Sequence, residues 1–344
     1  MYKYLKINQW WGNKISPLMA YAFLGAAHGS PQPSALSLTV QLLLFLLASF
    51  GIAGFGHLLL DAFDQREDRL NGKANGWLSL GKVKASLVLF LLFIIAWLPL
   101  YFLTHWATVR WLVATEFILF IVYAVPPLRF KERGMAGIMV DGLYGYGMPA
   151  LVAWTIFAPK PQGLGAIIYP LCLLLWLLPK GIRHILRHQY YDFDGDYGAG
   201  VRTFAVGHGR TATLKVIQNY LLPIELPAMV LALTVLSWPI ALPVIGLMAF
   251  CGWEWRVLRQ QWLQPVPPPR LWKPIEWSEW LGMRFLSTFT ELLLPLLSLW
   301  VMLLRHPSLW PLSLVYLLIA GWPLKLWWNE VSPLVWKRFN GAQR

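Results

Sequence analysis

Residues 36–68 read LSLTVQLLLFLLASFGIAGFGHLLLDAFDQRED. No charged side chain occurs before Asp61, and then Asp61, Asp64 and Asp68 follow in quick succession. About 20 apolar residues cross the hydrocarbon core as a helix, because every backbone N–H and C=O must be satisfied within the segment. Leu36 to Leu60 exceeds that length. The stretch therefore reads as a membrane-spanning helix that ends in an acidic cluster at the membrane surface.

The rest of the chain agrees with this reading. Its 344 residues have a mean hydropathy of +0.52 and are 57% hydrophobic and only 13% charged. A soluble chain carries about a quarter charged residues. Apolar runs recur at Ile15–Ala27, Leu36–Leu60, Ala85–Leu103, Trp111–Val125, Ile138–Ala158, Leu164–Leu178, Ala212–Leu236, Pro239–Trp255, Phe285–Leu304 and Leu309–Leu324. They predict an all-α, polytopic membrane bundle of nine to ten transmembrane helices. The sixth run is expected to continue as helix past Lys180 towards Tyr190.

A net charge of +13 would suit nucleic acid if the basic residues lined a soluble face. They fall instead in short loops between apolar runs, so the expected partner is the bilayer and not nucleic acid. With the N-terminus inside, only Arg110, Lys160 and Arg305 lie near the outer side. Arg66, Arg69, Arg129, Lys131, Arg202 and Lys215 fall at the inner side, as the excess of cytoplasmic Lys and Arg requires. The acidic cluster then faces the cytoplasm, with a bacterial inner membrane as the expected location. Cys172 and Cys251 lie inside apolar runs, which excludes a disulfide framework and a CxxC metal site. The basic, amphipathic N-terminus lacks a small-residue cleavage site, so no removable signal peptide is expected. The whole chain, 1–344, reads as one integral-membrane domain: a core at 15–255, a Pro/Trp-rich cytoplasmic loop at 260–283 and C-terminal helices at 285–328.

A second acidic cluster, Asp192, Asp194 and Asp196, lies in HQYYDFDGDYGAGVRT, and only Asp141 lies outside the two clusters. Both clusters end even-numbered helices and so share a side of the membrane. The spacing Asp64-xxx-Asp68-xxx-Gly72 recurs as Asp192-xxx-Asp196-xxx-Gly200. Spacings of three, four and seven put side chains on one helix face. This predicts one stripe of Asp61, Asp64 and Asp68 and another of Asp192 and Asp196, with Asp194 pointing away. Such like charges repel unless a cation sits between them. Carboxylates without a His or Cys ligand set suit Mg²⁺, which binds one or two carboxylates plus substrate phosphates. Lys73, Arg129, Lys131 and Arg202 supply phosphate-binding charge on the same side. Gly72 and Gly200 would let the backbone turn tightly beside the anion. Solvated loop charges are the plain alternative, and two matched clusters in so acid-poor a chain weigh against it.

These residues resemble the UbiA family of membrane prenyltransferases. The first family motif, approximately N-D-x-x-D-x-x-x-D, reads here Leu60, Asp61, Asp64, Asp68. The second, D-x-x-x-D with a trailing Gly and Thr, is matched by Asp192, Asp196, Gly200 and Thr203. A Y-x-x-P-P-L-R-x-K feature is matched by Tyr123, Pro126, Pro127, Leu128, Arg129 and Lys131. The usual Asn is Leu60 here, and His57, one turn earlier, is a candidate to replace it.

The resemblance implies a transferase that uses Mg²⁺ to ionise an isoprenyl diphosphate and alkylates a lipophilic acceptor with the allylic cation. Asp61, Asp64, Asp68, Asp192 and Asp196 would be its catalytic and metal-binding residues, and Arg129, Lys131, Lys73 and Arg202 its diphosphate-binding residues. An aromatic acceptor is the first expectation and a non-aromatic one the alternative. A divalent-cation transporter is the competing class, since intramembrane acids favour transport.

Lesser features divide between site and scaffold. Aromatic faces can shield a cation, which makes Tyr123, Tyr144, Tyr146, Tyr190 and Tyr191 candidates, with a membrane-interface belt as the alternative. Asp141, inside an apolar run, is a site residue or a paired structural acid. Glu116, Glu225 and Glu291 read as structural acids, paired or near an interface. His184 and His188 lack a third ligand for a transition metal. The segment GLYGYG at 142–147 reads as close helix packing.

Overall fold

The computed structural model describes residues 4–29, 34–103, 107–160, 163–262 and 285–319. Among them there are helices and turns but no strand. Nine apolar helices carry the architecture: α1 (7–27), α2 (Ala35–Phe63), α3 (Lys82–Leu103), α4 (Ala107–Ala124), α5 (135–157), α6 (Gly165–Ala199), α7 (Arg210–Ser237), α8 (Leu242–Trp262) and α9 (Leu286–Arg305). Six of them, α2, α3, α4, α6, α7 and α9, are long and apolar enough to cross a membrane by length and composition. The expected all-helical membrane bundle is what the structure has. A further helical stretch begins at 312, so part of the run Leu309–Leu324 lies outside the described residues. Most of the Pro/Trp-rich stretch 260–283 does too.

The first apolar run is too short to span alone, and its position explains why. Every residue of Ser16–Ala27 is buried. It packs against α5 and α9, so its partners are other helices and not lipid. Close approach elsewhere depends on small residues, as in membrane helix pairs generally. A Cβ on Gly51 of α2 would come within 2.4 Å of the Ala96 backbone nitrogen on α3, and one on Gly181 of α6 within 2.6 Å of Gly142 Cα on α5. The GLYGYG segment thus includes a glycine that admits a neighbouring helix, as expected.

Four of the helices contain a wider π turn: Trp11–Ile15 in α1, Leu143–Gly147 in α5, Ile217–Leu221 in α7 and Phe289–Leu293 in α9. Such turns break the regular i→i−4 ladder. Lys14 Nζ from the first donates to the Gly145 carbonyl in the second at 2.9 Å, and lies 3.5 Å from the centre of the Tyr146 ring.

The sixth helix runs further than its apolar pattern, through both polar residues and the second acidic cluster to Ala199. Its basic residues at mid-bundle are matched: Lys180 donates to Thr290 Oγ1 at 2.9 Å, and Arg183 grips Glu225 at 2.6 and 2.8 Å. Gly200 then stops the helix at φ 73°, a conformation that costs glycine little.

Candidate functional site

The site lies where the ends of α2 and α6 meet. Helix α2 stops at Phe63, and the short helix Gln65–Leu70 follows, capped at Asn71. Gly72 turns the chain at φ 62°. Asn75 then caps Gly76–Leu80, its Oδ1 accepting from Leu78 N at 2.9 Å. Both glycines expected to turn the chain, Gly72 and Gly200, have positive φ.

Two contacts join this end to α6. Lys73 Nζ donates to Asp192 Oδ2 at 2.6 Å. A Cβ on Gly195 would lie 3.0 Å from Asn71 Oδ1, so the turn after the first motif rests against the helix that carries the second. The two acidic segments therefore lie at the same end of the bundle.

The loop after α4 supplies the third side. Lys131 is buried, and its Nζ donates to Asp64 Oδ1 at 2.5 Å and also to Glu67 Oε2. The Arg129 guanidinium donates to Glu67, to Glu132, to the Phe63 carbonyl at 3.1 Å and to Asp64 at 3.5 Å. Arg129 sits at φ 34°, in the left-handed region that costs a non-glycine residue about 1–2 kcal/mol. Its ring of acceptors holds it there. Partial burial pushes the Asp64 carboxyl above its ordinary range, against the pull of Lys131 and Arg129.

The three aspartates of the first motif do not form one continuous stripe. The helix breaks at Asp64, whose φ and ψ are −102° and 10°, and the acids divide between two environments. The Asp61 carboxylate is buried and taken by Lys6 at 2.8 Å and by Gly76 N at 2.6 Å. Asn75 Nδ2 bridges the Asp61 carbonyl and Asp68 Oδ2, at 2.8 and 2.7 Å. Asp64 instead shares Lys131 with Glu67. Spacing alone assumed an unbroken helix, and the turn at Asp64 removes that assumption.

On α6, Asp196 is partly buried and within electrostatic reach of Asp192, Lys73, Lys131 and Glu67. Asp194 points elsewhere, as expected, and pairs with Arg210 at 2.8 Å. Arg202 is exposed and makes no ion pair among the described residues. Sequence reasoning missed Glu67, Asn75, Asn71 and Lys6. Glu67 had a signal, since it lies three residues after Asp64. The other three are joined to the cluster only by the chain's tertiary path.

Behind the carboxylates lies an aromatic layer. Tyr123 lies within electrostatic reach of Asp64, Asp141 and Asp196, and its ring meets that of Tyr144 edge-on at 5.2 Å. Tyr144 donates to Asp141 Oδ2 at 2.5 Å, so Asp141 is a paired acid. Tyr190 and Tyr191 lie elsewhere, against Arg210 and Arg187. His57 stacks on Trp10 at 5.8 Å. Glu225 is paired, as expected of a structural acid, but Glu116 is not: one of its oxygens has no hydrogen-bond partner among the described residues.

No group of three or more His, Cys, Asp or Glu side chains is gathered tightly enough to hold a metal among the described residues. The donor chemistry nonetheless fits a hard dication. The cluster offers carboxylate oxygens only, and ammonium groups already seat on Asp64, Glu67 and Asp192.

The sequence profile of the UbiA prenyltransferase family matches residues 16–270. No curated protein sequence matches the chain. Among solved structures, a UbiA homolog from Archaeoglobus fulgidus bound to GPP and Mg²⁺ superimposes with a TM-score of 0.58 at 14% identity, covering 89% of this chain and 99% of that one. The same homolog bound to DMAPP and Mg²⁺ gives 0.59 at 14% identity, covering 88% and 98%. A digeranylgeranylglyceryl phosphate synthase gives 0.52 at 16% identity, covering 90% and 97%.

Proposed function

This chain belongs to the UbiA prenyltransferase family, and on that premise we propose that it transfers an isoprenyl group from a polyprenyl diphosphate to a lipophilic, aromatic acceptor at the joined ends of α2 and α6. The observation that carries this reading is the ion pair between Lys73 and Asp192, which brings one motif against the other. The diphosphate and Mg²⁺ in two of the similar structures support it.

Charge balance gives the physical reason. Asp64, Glu67, Asp68, Glu132, Asp192 and Asp196 are six carboxylates, against four cations, Lys73, Arg129, Lys131 and Arg202. The surplus is two negative charges, and a diphosphate adds more. Such an anion binds here only with divalent cations between it and the carboxylates. Bound Mg²⁺ would offset charge on the diphosphate as the allylic C–O bond ionises. Asp64, Asp68, Asp192 and Asp196 are the residues proposed to hold it. Asp61 would shape the site through Lys6 and Gly76. Arg129, Lys131 and Lys73 would turn from their carboxylates to phosphate oxygens, in fixed positions that stabilise the leaving group. Arg202 would reach the diphosphate from the exposed rim. Tyr123 and Tyr144 would line the path of the allylic cation.

The site is proposed to face the cytoplasm, because the basic residues of the connecting loops cluster at that side in the favoured threading. A non-aromatic acceptor stays the alternative, since one similar structure is a synthase whose name carries a glyceryl phosphate. Cation transport has no comparable support.

The test is product formation. Purified protein with Mg²⁺, prenyl diphosphates of several lengths and a panel of acceptors should give a prenylated product by mass spectrometry. Asp64→Asn and Asp192→Asn variants that remain folded should each lose at least about a hundredfold in rate. Undiminished turnover in both would remove the assignment.

A further inference from the structure

Asp68 differs from the other aspartates of the first motif. Asp61 pairs with Lys6 and Asp64 with Lys131, whereas Asp68 makes no ion pair among the described residues. Its side-chain partner is neutral: Asn75 Nδ2 donates to Asp68 Oδ2 at 2.7 Å. Its backbone carbonyl accepts from Lys73 N at 2.8 Å, on the residue whose ammonium reaches Asp192.

Asn75 is itself held from several sides. It is buried, at 4% exposure. Its amide nitrogen also donates to the Asp61 carbonyl at 2.8 Å, and its Oδ1 accepts from Leu78 N at 2.9 Å. Only the oxygen can match the Leu78 N–H, so the amide cannot turn over and its nitrogen is fixed towards Asp68. Gly76 N donates to Asp61 Oδ2 at 2.6 Å. A Cβ on Gly76 would fall 2.1 Å from the Tyr4 carbonyl oxygen, so this approach needs glycine. Asp61 thus anchors the Asn75–Gly76 segment through both its main chain and its carboxylate.

A neutral amide on one carboxylate oxygen orients the group without cancelling its charge. An ammonium in the same place would compete with a metal. Outer hydrogen bonds of this kind aim metal-binding carboxylates and are worth about 10–100-fold in metal affinity. Leu60 has no polar side chain, and His57 is stacked on Trp10. The amide that reaches the first motif comes instead from the turn that follows it.

We propose that Asn75 is the positioning residue of the first motif: it presents Asp68 to a divalent cation, with Asp68 Oδ1 turned to the metal, and Asp61 is its anchor. The inference rests on the transferase reading above and names the residue that aims one of its metal ligands.

The test uses the full chain in detergent and Mn²⁺, a dication that takes oxygen ligands and whose unbound fraction is read from its paramagnetic resonance signal. Ser caps a helix about as well as Asn but is too short to reach Asp68, so Asn75→Ser removes the amide and keeps the cap. It should raise the apparent Kd for Mn²⁺ about tenfold, with the helical circular dichroism unchanged. Asp68→Asn should raise it about tenfold or more. Adding Asn75→Ser to Asp68→Asn should then change it by less than about twofold, because the amide acts through that carboxylate. A further loss of about tenfold in the double variant overturns the proposal. So does wild-type affinity in either single variant, or a wild type that binds no Mn²⁺. Loss of the helical signal in Asn75→Ser overturns it as well, since the amide would then serve the fold. Separately, pyrophosphate release from a prenyl diphosphate and Mg²⁺ reports on the transferase reading. Its absence would defeat that reading while the coupling of Asn75 to Asp68 stood. Its presence without the coupling would defeat only the role of Asn75.

Discussion

Lys73 and Asp192 are 119 residues apart in sequence and meet at 2.6 Å. One follows the turn after the first acidic segment, and the other opens the second. Both side chains are about two-fifths exposed. An ion pair so open to water contributes little to stability, about 0.2–1 kcal/mol. Lys73→Met should therefore leave the thermal midpoint in detergent almost unchanged. It should raise the apparent KM for the prenyl diphosphate about tenfold or more, because a phosphate contact is lost. A midpoint drop large enough to account for the lost activity would show that the pair serves as a strut instead.

Lys131 behaves differently, because it is buried between Asp64 and Glu67. Replacing it with Met leaves two partly buried carboxylates facing each other. The expected cost is about 1–3 kcal/mol in thermal unfolding. Added Mg²⁺ should restore more stability to Lys131→Met than to the wild type, since a dication can occupy the position of the lost ammonium. Equal Mg²⁺ responses in the two proteins would count against a metal position at Asp64 and Glu67.

Chelation should separate binding from scaffold. Removing divalent ions with EDTA is expected to stop pyrophosphate release, while the helical circular dichroism stays unchanged. The bundle holds its two ends together with ammonium and guanidinium groups, so it does not need the metal to fold. Helix loss on chelation would show that metal is part of the fold.

The pair Arg183–Glu225 lies deep between α6 and α7, and both residues are almost fully buried. Breaking a buried pair from one side costs about 3–5 kcal/mol, because the remaining charge has lost its counter-ion. Glu225→Gln should lower the thermal midpoint by several degrees and leave the KM for prenyl diphosphate near its wild-type value. A changed KM with an unchanged midpoint would move this pair from the scaffold to the site.

The membrane bundle was legible in the sequence because hydropathy is a local property. The stretch 36–60 reveals its helix without any knowledge of its neighbours. The shared end of the two acidic clusters was legible too, since an even number of spans lies between them and the charged loops fix the side. What the spacing could not reveal was the break at Asp64. Helical periodicity grouped Asp61 with Asp64, whereas the turn gives Asp61 to Lys6 and Gly76 and leaves Asp64 with Glu67. Glu116 read as one more structural acid. Its unpartnered oxygen depends on how the surrounding helices pack, and no local pattern encodes that.

Helix α6 is continuous for 35 residues, from Gly165 to Ala199. At 1.5 Å per residue it measures about 50 Å, well beyond a hydrocarbon thickness of about 30 Å. Asp192 and Asp196 therefore ride on an overhanging tip. A change of about 5° in helix tilt moves such a tip by about 2 Å, enough to open the gap to Lys73. Tilt answers to hydrophobic mismatch. The spacing of the two motifs is thus set by lipid acyl length as well as by the chain, and turnover measured across bilayers of graded thickness should pass through an optimum.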